Sequence, residues 1–335
     1  MKKKIAIIAG GDSSEYGVSL RSAAGIESFL NHEQYDITTV LLRGKDWKAQ
    51  VKSPEAKEEW VDIDKNDFSF TYKGVKNTFD FAYITIHGTP GENGLLQGYF
   101  DMLGIPYSCC GVLAAAMTFN KYTCNHYLKG FGVRVAESVL LRKAKGERLE
   151  VKGEDIIEQV GLPCFIKTNV GGSSFGVTKV KTVEEVQPAI DKAFAEGDEV
   201  ICEAFMKGVE ITCGVYKTKN KAVAFPITEV VTSNEFFDYD AKYNGQVDEI
   251  TPARIPDEVR NKVQALTLKI YDILGCKGII RVDYILTENW TINLLEVNTT
   301  PGMTATSFIP QQIRAAGLDI KEVLSDIIED QLLNF

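Results

Sequence analysis

The stretch Ile279-Ile280-Arg281-Val282-Asp283-Tyr284-Ile285-Leu286, continued by Thr287-Glu288-Asn289 and Trp290-Thr291-Ile292-Asn293-Leu294-Leu295-Glu296-Val297-Asn298, decides how this chain is read. The first run is β-branched and apolar except at two positions two apart, so period-two alternation puts Arg281 and Asp283 on one face of a strand. Turn residues follow, and the last run reads as a returning strand on which Glu296 and Asn298 share a face. An even-length loop centred near Asn289 and Trp290 pairs Asp283 with Glu296 and Arg281 with Asn298. Two carboxylates directly across a ladder repel. An oxygen-ligated cation such as Mg2+ removes that conflict, with the Asn298 amide oxygen as a third ligand. A solvated strand face with scattered charges is the alternative. Against it, Thr299-Thr300-Pro301-Gly302-Met303-Thr304 follows at once, a turn that can aim backbone N–H groups at whatever the cation holds.

Working outward, 335 residues are too many for one ordinary core and point to two or three packed domains. Apolar content of 44% with 25% charged residues is that of a soluble globular protein. The net charge of −9 argues against nucleic acid or an anionic membrane as partner. The cysteines (109, 110, 124, 164, 202, 213 and 276) are odd in number and lack CxxC spacing, which fits reduced thiols and a cytoplasmic location. The basic start, Met1-Lys2-Lys3-Lys4, precedes an apolar run of only five residues, so it reads as a first strand and not a signal peptide. No run approaches membrane-spanning length. With three histidines in no ligand or triad pattern, a zinc or Ser-His-Asp hydrolase is disfavoured.

Ile5-Ala6-Ile7-Ile8-Ala9 has the continuous apolar character of a buried parallel strand, and Gly10-Gly11-Asp12-Ser13-Ser14-Glu15 turns it into a helix reaching about Leu30. Strand, Gly-rich turn and helix N-terminus form an anion site in many doubly wound folds. Glu15 at that mouth either complements the helix dipole or binds a cation. Strands are expected at Asp36–Leu42 and Phe79–Ile86; the residues between carry no readable signal. His87-Gly88-Thr89-Pro90-Gly91-Glu92-Asn93-Gly94 leaves a strand end, where open α/β sheets bind ligands. Lys167 ends the apolar strand Pro163-Cys164-Phe165-Ile166, ahead of the small-residue loop Thr168-Asn169-Val170-Gly171-Gly172-Ser173-Ser174-Phe175-Gly176. Such a loop can donate backbone N–H groups to phosphates, although it is no Walker A sequence. Lys121 by itself reads as a surface lysine, and Glu203 and Glu210 as surface charges. Residues 231–245 carry no clean period and four aromatics within eight residues, so they read as a long loop that packs as a lid.

These pieces together resemble ATP-grasp enzymes, and specifically the D-alanine–D-alanine ligases. Arg281-Val282-Asp283, Glu296 to Thr304 and Ser307 match that family's third domain, and further matches cover nearly the whole chain. The resemblance implies an α/β, three-domain ATP-grasp architecture with an N-terminal Rossmann-like, parallel-sheet domain. Its divisions are expected at 1–109, 110–203 and 204–335. It implies ATP and Mg2+, two ions of it with Mn2+ as a substitute, bound by Asp283, Glu296 and Asn298. The residues matched by Lys121 and Lys167 contact nucleotide phosphates, and Gly172 and Ser174 lie in the phosphate loop. Glu203 with the Ala204-Phe205-Met206 hinge holds adenine. Glu210, in Gly208-Val209-Glu210-Ile211-Thr212, takes the ribose hydroxyls, which suits an acceptor-only group. Glu15 takes the ammonium of the first D-alanine, and Tyr243, beside Lys242 in Tyr239-Asp240-Ala241-Lys242-Tyr243, hydrogen-bonds toward Ser173 and Glu15. Arg281 and the Gly302 N–H stabilise an oxyanion, and Ser307 receives the second carboxylate. The expected activity is ATP-dependent joining of two D-alanines by a cytoplasmic homodimer with no nucleic-acid or membrane partner. The alternatives are another ATP-grasp ligase joining a carboxylate to an amine or hydroxyl, such as a D-alanine–D-lactate ligase, or a nucleotide-responsive binding protein. The chain departs from the family at Ser108-Cys109-Cys110-Gly111 (usually Thr-Gly-Ser-Gly), at Thr168 (Pro), at Gly171 (often Glu) and at Phe308 (Leu).

Overall fold

The structure, a computed structural model, describes residues 2–52, 58–144, 146–171, 176–232 and 247–335. The expected residues Gly172, Ser173, Ser174, Lys242 and Tyr243 lie outside that set.

The run Ile5–Ala9 is buried because it is the central strand of the first sheet. In chain order the elements are β1 (Lys3–Gly10), α1 (Tyr16–Phe29), β2 (Tyr35–Arg43), β3 (Asp46–Lys52), β4 (Glu58–Asp62), the short hairpin β5 (Phe70–Tyr72) and β6 (Val75–Asn77), β7 (Phe81–Ile84) and α2 (Leu95–Leu103). The sheet order is β4-β3-β2-β1-β7, with β2, β1 and β7 parallel and β3 and β4 antiparallel additions. The stretch without readable signal thus holds four short strands. Their alternation is weak because they are edge or hairpin strands with one or both faces in water. Beyond β1 the strand order reverses between β2 and β7, which places Glu15 and His87 in the crevice at the carboxyl ends of adjacent strands.

Next come α3 (Val112–Phe119), α4 (Lys121–Lys129), β8 (Ser138–Arg142), α5 (Gly153–Val160), β9 (Cys164–Thr168), β10 (Thr178–Val180), α6 (Val186–Phe194) and β11 (Glu199–Ala204). The strands make an antiparallel sheet, β10-β9-β11-β8. Its core is its own: Ile156, Ile166, Ile190 and Val200 pack between this sheet, α5 and α6.

The last part holds β12 (Val209–Thr218), β13 (Lys221–Ala224), β14 (Thr228–Thr232), β15 (Val247–Ile250), α7 (Asp257–Ile273), β16 (Ile279–Thr287), β17 (Thr291–Asn298), α8 (Phe308–Ala315) and α9 (Ile320–Asn334). Its sheet runs β15-β14-β12-β16-β17, with β13 also on β12. One face, with Ile211, Cys213, Ile280, Val282 and Tyr284, is covered by α7 and by α3 and α4. Near α8 and α9 the same sheet shares a second core with β1 and α1, joining Ile5, Ile26, Phe225, Ile309, Ile313 and Leu324.

The hairpin register is the expected one at the site, by a different route. Asp283 pairs with Glu296 and Arg281 with Asn298. The loop, however, is the three-residue turn Glu288–Trp290 between paired Thr287 and Thr291, so it is odd in length. Continued unbroken, that pairing sets Asp283 opposite Leu295 and turns Glu296, with Leu294, toward the apolar core. A bulge between Asp283 and Tyr284 on the ladder leaves Leu295 as the extra residue. It lets Leu294 and Val297 both face the core while Glu296 and Asn298 face the site.

Candidate active site

The charged face of the third sheet forms the floor of a cavity of about 370 Å³. Glu210 and Thr212 on β12, Arg281 and Asp283 on β16, and Glu296 and Asn298 on β17 line it. Register explains the set: Thr212 is the partner of Asp283, which is the partner of Glu296, so all point to one side. Gly214, opposite Arg281, continues the row where α8 rests on the sheet; a Cβ there would come within 2.4 Å of Ile309 Cδ1.

Asp283 is nearly enclosed and fully engaged. Arg281 donates Nε–H to Oδ1 at 2.9 Å and Nη2–H to Oδ2 at 2.7 Å, a two-pronged fork, and Asn298 Nδ2 donates to Oδ2 at 3.0 Å. Burial disfavours the Arg281 charge, but Asp283 outweighs it and holds the guanidinium pKa above its ordinary value. The carboxylate conflict inferred from the hairpin is therefore already relieved by cations of the chain itself. Arg281 neutralises Asp283, and Lys121 Nζ lies 3.8 Å from Glu296 Oε2.

Lys121 opens α4, whose Asn120 cap accepts a hydrogen bond from the Thr123 N–H. Its ammonium also donates to the Gly171 carbonyl at 2.6 Å, at the edge of the small-residue loop. Burial lowers the Lys121 pKa, Glu296 opposes that shift, and Lys167 adds to it. Lys167 is buried too, but its 2.5 Å pair with Glu203 overcomes the desolvation and raises its pKa. Lys167 and Glu203 do not line the cavity; they sit beside it on β9 and β11, near enough for Glu296 and Glu210 to act on the Lys167 charge. Ala204, Phe205 and Met206 continue from β11, with the Phe205 ring between Phe165 at 5.8 Å and the Lys179 ammonium at 4.4 Å.

The first and last parts of the chain supply the far wall. Glu15 lines the cavity, and its N–H donates to Ser13 Oγ, which in turn donates to the His87 carbonyl. Opposite, Gly302, Thr304 and Ser307 form a turn closed by Ser307 Oγ, which accepts from the Thr304 N–H at 3.1 Å. The two walls are bonded together: Met303 N–H donates to Ser22 Oγ, and Thr300 Oγ1 donates to the Ile86 carbonyl. The cavity thus joins Glu15, Lys121, Glu210, Arg281, Asp283, Glu296, Asn298, Gly302 and Ser307, all expected from the sequence.

Several lining residues carried no expected role. His87 and Glu92 lie within the loop singled out after β7, and Glu92 accepts from the Gly88 N–H at 2.7 Å. Burial raises the Glu92 pKa, against the pull of His87. Glu249 on β15 had no signal, because it follows the aperiodic stretch; Gln311 donates to its Oε2 at 2.5 Å. Thr212 lines the cavity with a buried hydroxyl that makes no hydrogen bond among the described residues.

For a metal, the donor set is two carboxylates and an amide on paired strands. All-oxygen donors suit Mg2+ and not a thiol- or imidazole-seeking ion. The residues fit. Asp283 Oδ1 accepts one hydrogen bond and has a second lone pair to offer a cation, and Asn298 carries an amide oxygen beside the Nδ2 that donates to Asp283.

Comparison with known proteins follows the same lines. The family profile described as the D-ala D-ala ligase N-terminus matches residues 4–110, and that of the D-ala D-ala ligase C-terminus matches residues 127–329. The chain belongs to the D-alanine–D-alanine ligase family. It is 66% identical over 331 residues to the D-alanine–D-alanine ligase of Bacteroides fragilis, covering 99% of this chain and 100% of that one. The Porphyromonas gingivalis ligase is 55% identical over 333 residues, 99% of each chain. Among solved structures, the VanG D-Ala:D-Ser ligase from Enterococcus faecalis superposes with a TM-score of 0.84 at 31% identity, covering 98% of this chain and 99% of that one. The Bacillus anthracis D-alanine–D-alanine ligase complexed with ATP gives 0.77 at 28%, covering 99% and 98%. Family membership agrees with the ATP-grasp fold of the structure.

The family departures have visible local consequences. Cys109 and Cys110 are both buried, and Cys110 lies within hydrogen-bonding reach of Cys276 and the Lys277 carbonyl. Phe308 lines the cavity with its ring under Arg281, whose Cζ is 5.3 Å from the ring centroid.

Proposed function

We infer that this chain is an ATP-dependent ligase that joins two D-alanine molecules into D-alanyl-D-alanine, the dipeptide used in peptidoglycan synthesis. The observation that carries the reading is a single cavity lined by Glu15 at one wall, Arg281, Gly302 and Ser307 at another, and Lys121 with paired Asp283 and Glu296 between them. A cation-binding carboxylate, an anion-binding turn and a phosphate-binding lysine are what two zwitterions and a nucleotide require.

In this mechanism Glu15 holds the ammonium of the first D-alanine and points its carboxylate at the γ-phosphate. Lys121 and Lys167 bind the phosphates and draw charge from the transferring group, the main task in phosphoryl transfer. Glu203 and the Ala204–Met206 backbone hold adenine, and Glu210 the ribose. Asp283, Glu296 and Asn298 would hold Mg2+, as two ions, which when bound neutralises phosphate charge. The D-alanyl phosphate so formed, with ADP as the other product, is attacked by the deprotonated amine of the second D-alanine, and inorganic phosphate leaves as the amide bond forms. Ser307 and the next N–H bind that substrate's carboxylate. Arg281 and the Gly302 N–H stabilise the tetrahedral oxyanion as donors already in place. The resemblance gives Ser173 and Tyr243 a part in binding the amine, and Gly172, Ser174 and Lys242 a part in binding the nucleotide. A D-alanine–D-lactate ligase is not favoured, since relatives from 54% to 67% identical are D-alanine–D-alanine ligases.

We further propose units at 1–109, 110–203 and 204–335, with α3 and α4 crossing to the third sheet. The protein acts as a cytoplasmic homodimer. Leu95 and Met102, seven residues apart on α2, leave 63% and 82% of their surface exposed beside Val112 and Leu113 on α3, an apolar face suited to a second copy. No helix among the described residues is long and apolar enough to cross a membrane. Every cysteine is buried and free, as a reducing compartment allows.

ADP release scored against a panel of D-amino and D-hydroxy acid pairs tests the reading. Release that needs D-alanine and Mg2+ and yields the dipeptide is expected. Turnover indifferent to D-alanine, or equal with L-alanine, overturns it.

A further inference from the structure

We propose that Phe308 is a positioning residue for Arg281, one that keeps the guanidinium aimed into the cavity once Asp283 is drawn toward a cation. The inference rests on the ligase reading above and goes beyond it to this chain's own departure from the family's leucine.

The reaction asks two things of the Arg281–Asp283 pair that compete, because a cation on Asp283 drains charge from the carboxylate that holds the guanidinium. Asp283 must offer carboxylate oxygen to a metal, while Arg281 must stay still and donate to an oxyanion. In the structure the fork from Nε and Nη2 takes both Asp283 oxygens, so it is the main restraint on the guanidinium. When Asp283 shares its charge, that fork weakens. Glu296 and Glu210 also act on the Arg281 charge, and Arg281 acts on Glu249. These carboxylates lie along the floor, so a loosened guanidinium is pulled down onto it and away from the substrate.

Phe308 supplies a restraint that does not compete for the metal. Its ring face lies 5.3 Å from Arg281 Cζ, within the range where the negative face of an aromatic ring attracts a cation. A leucine fills similar space without that face. The ring is held from below at the same point of the sheet. It is the first residue of α8, and the next, Ile309, is fully buried. Gln312, one turn on, accepts from the Gly214 N–H at 2.8 Å and donates to the Thr212 carbonyl at 3.0 Å. Gly214 is the ladder partner of Arg281. Ring and guanidinium are therefore anchored to neighbouring residues of paired strands, independently of Asp283.

The test compares Phe308→Leu and Phe308→Tyr in the wild-type and Arg281→Met backgrounds. With wild-type Arg281, Phe308→Leu lowers kcat about three- to thirty-fold, the range spanned by exposed to desolvated cation–π contacts. The KM for ATP and the urea midpoint stay put, and Phe308→Tyr restores kcat. With Arg281→Met, Phe308→Leu adds nothing further. Equal losses in both backgrounds, or no rescue by tyrosine, overturn the proposal. A second measurement needs no turnover. The Arg281 Nε–H NMR resonance stays sharp in wild type when Mg2+ and ADP are added, and broadens in Phe308→Leu. Identical behaviour in the two proteins sinks the inference even if no dipeptide is ever made, whereas absent turnover with a ring-dependent resonance counts only against the ligase reading.

Discussion

The cavity is lined and flanked by two sheets that hold their charges in different ways. On the third sheet, Asp283 receives three hydrogen bonds, and the sheet shares a core with β1 and α1 while α3, α4 and α7 cover its other face. On the second sheet, Lys167 is paired closely with Glu203, its one close partner among the described residues, and the core beneath is formed by that sheet, α5 and α6. The first arrangement fixes a charge from several independent directions. The second holds its cation mainly through one close carboxylate, with Glu296 and Glu210 acting from farther off. The charge fixed from several directions is thus built where several elements converge, and the Lys167–Glu203 pair sits on a sheet with its own core.

The difference can be broken most severely at Arg281. Arg281→Met leaves Asp283 nearly enclosed with only Asn298 as donor, and costs about 3–5 kcal/mol in urea denaturation. If the donor role is right, turnover falls about 10²–10³-fold at saturating substrates. Folding stability unchanged by this substitution would show that the fork does not stabilise the floor. On the other sheet, Glu203→Gln strands Lys167 and costs about 3 kcal/mol. Hydrogen exchange should place the lost protection in β8, β9 and β11, with β12 and β16 unaffected. Protection lost evenly across both sheets would mean that the two do not open independently. The coupling of floor to first sheet is weakened by Gly25→Ala. A Cβ there meets the Met303 carbonyl oxygen at 2.2 Å, so α1 must lift from the turn carrying Gly302, at about 1–2 kcal/mol. Thermal denaturation reads the cost, and a fall in kcat larger than any rise in ATP KM reads the displaced turn.

The subtlest contrast is between the two lysines, whose pH effects have opposite signs. Lys121 has a folded pKa below its ordinary 10.5 because of burial, so between that lowered value and 10.5 the unfolded chain binds more protons and the Lys121 contribution to stability rises with pH. For Lys167, Glu203 raises the folded pKa, so its stabilisation is complete below 10.5 and fades as pH climbs through the folded value. Urea midpoints of wild type, Lys121→Met and Lys167→Met between about pH 8 and about pH 11 should show wild type gaining on the first variant and losing on the second. Parallel curves for both variants would remove the distinction between the sheets' charges.

Much of the site was legible because strand alternation is a local property. Arg281 with Asp283, and Glu296 with Asn298, are each two apart, and burial of the intervening residues can be read from composition alone. The loops after β1, β7 and β9 were legible through glycine and small residues at strand ends; Glu15, His87 and Glu92 from the first two and Gly171 from the third line the cavity. Glu249 was not, since its face depends on pairing with Val230 after a stretch without period. The four strands β3 to β6 were missed because short, partly solvated strands at or next to a sheet edge have little hydrophobic contrast.

The sequence by itself determined which side chains share a strand face, which turns can approach an anion, and the family to which the chain belongs. Only the tertiary structure decided that an odd hairpin loop and a bulge at Leu295 combine to set Asp283 against Glu296. The reason is that parity across a ladder depends on which residues the core accepts, and Val297 enters the core only if Leu295 is left over. Tertiary structure also decided that Arg281 and Lys121 neutralise those carboxylates, because like charges brought together by a ladder take whatever cation the rest of the fold carries to them.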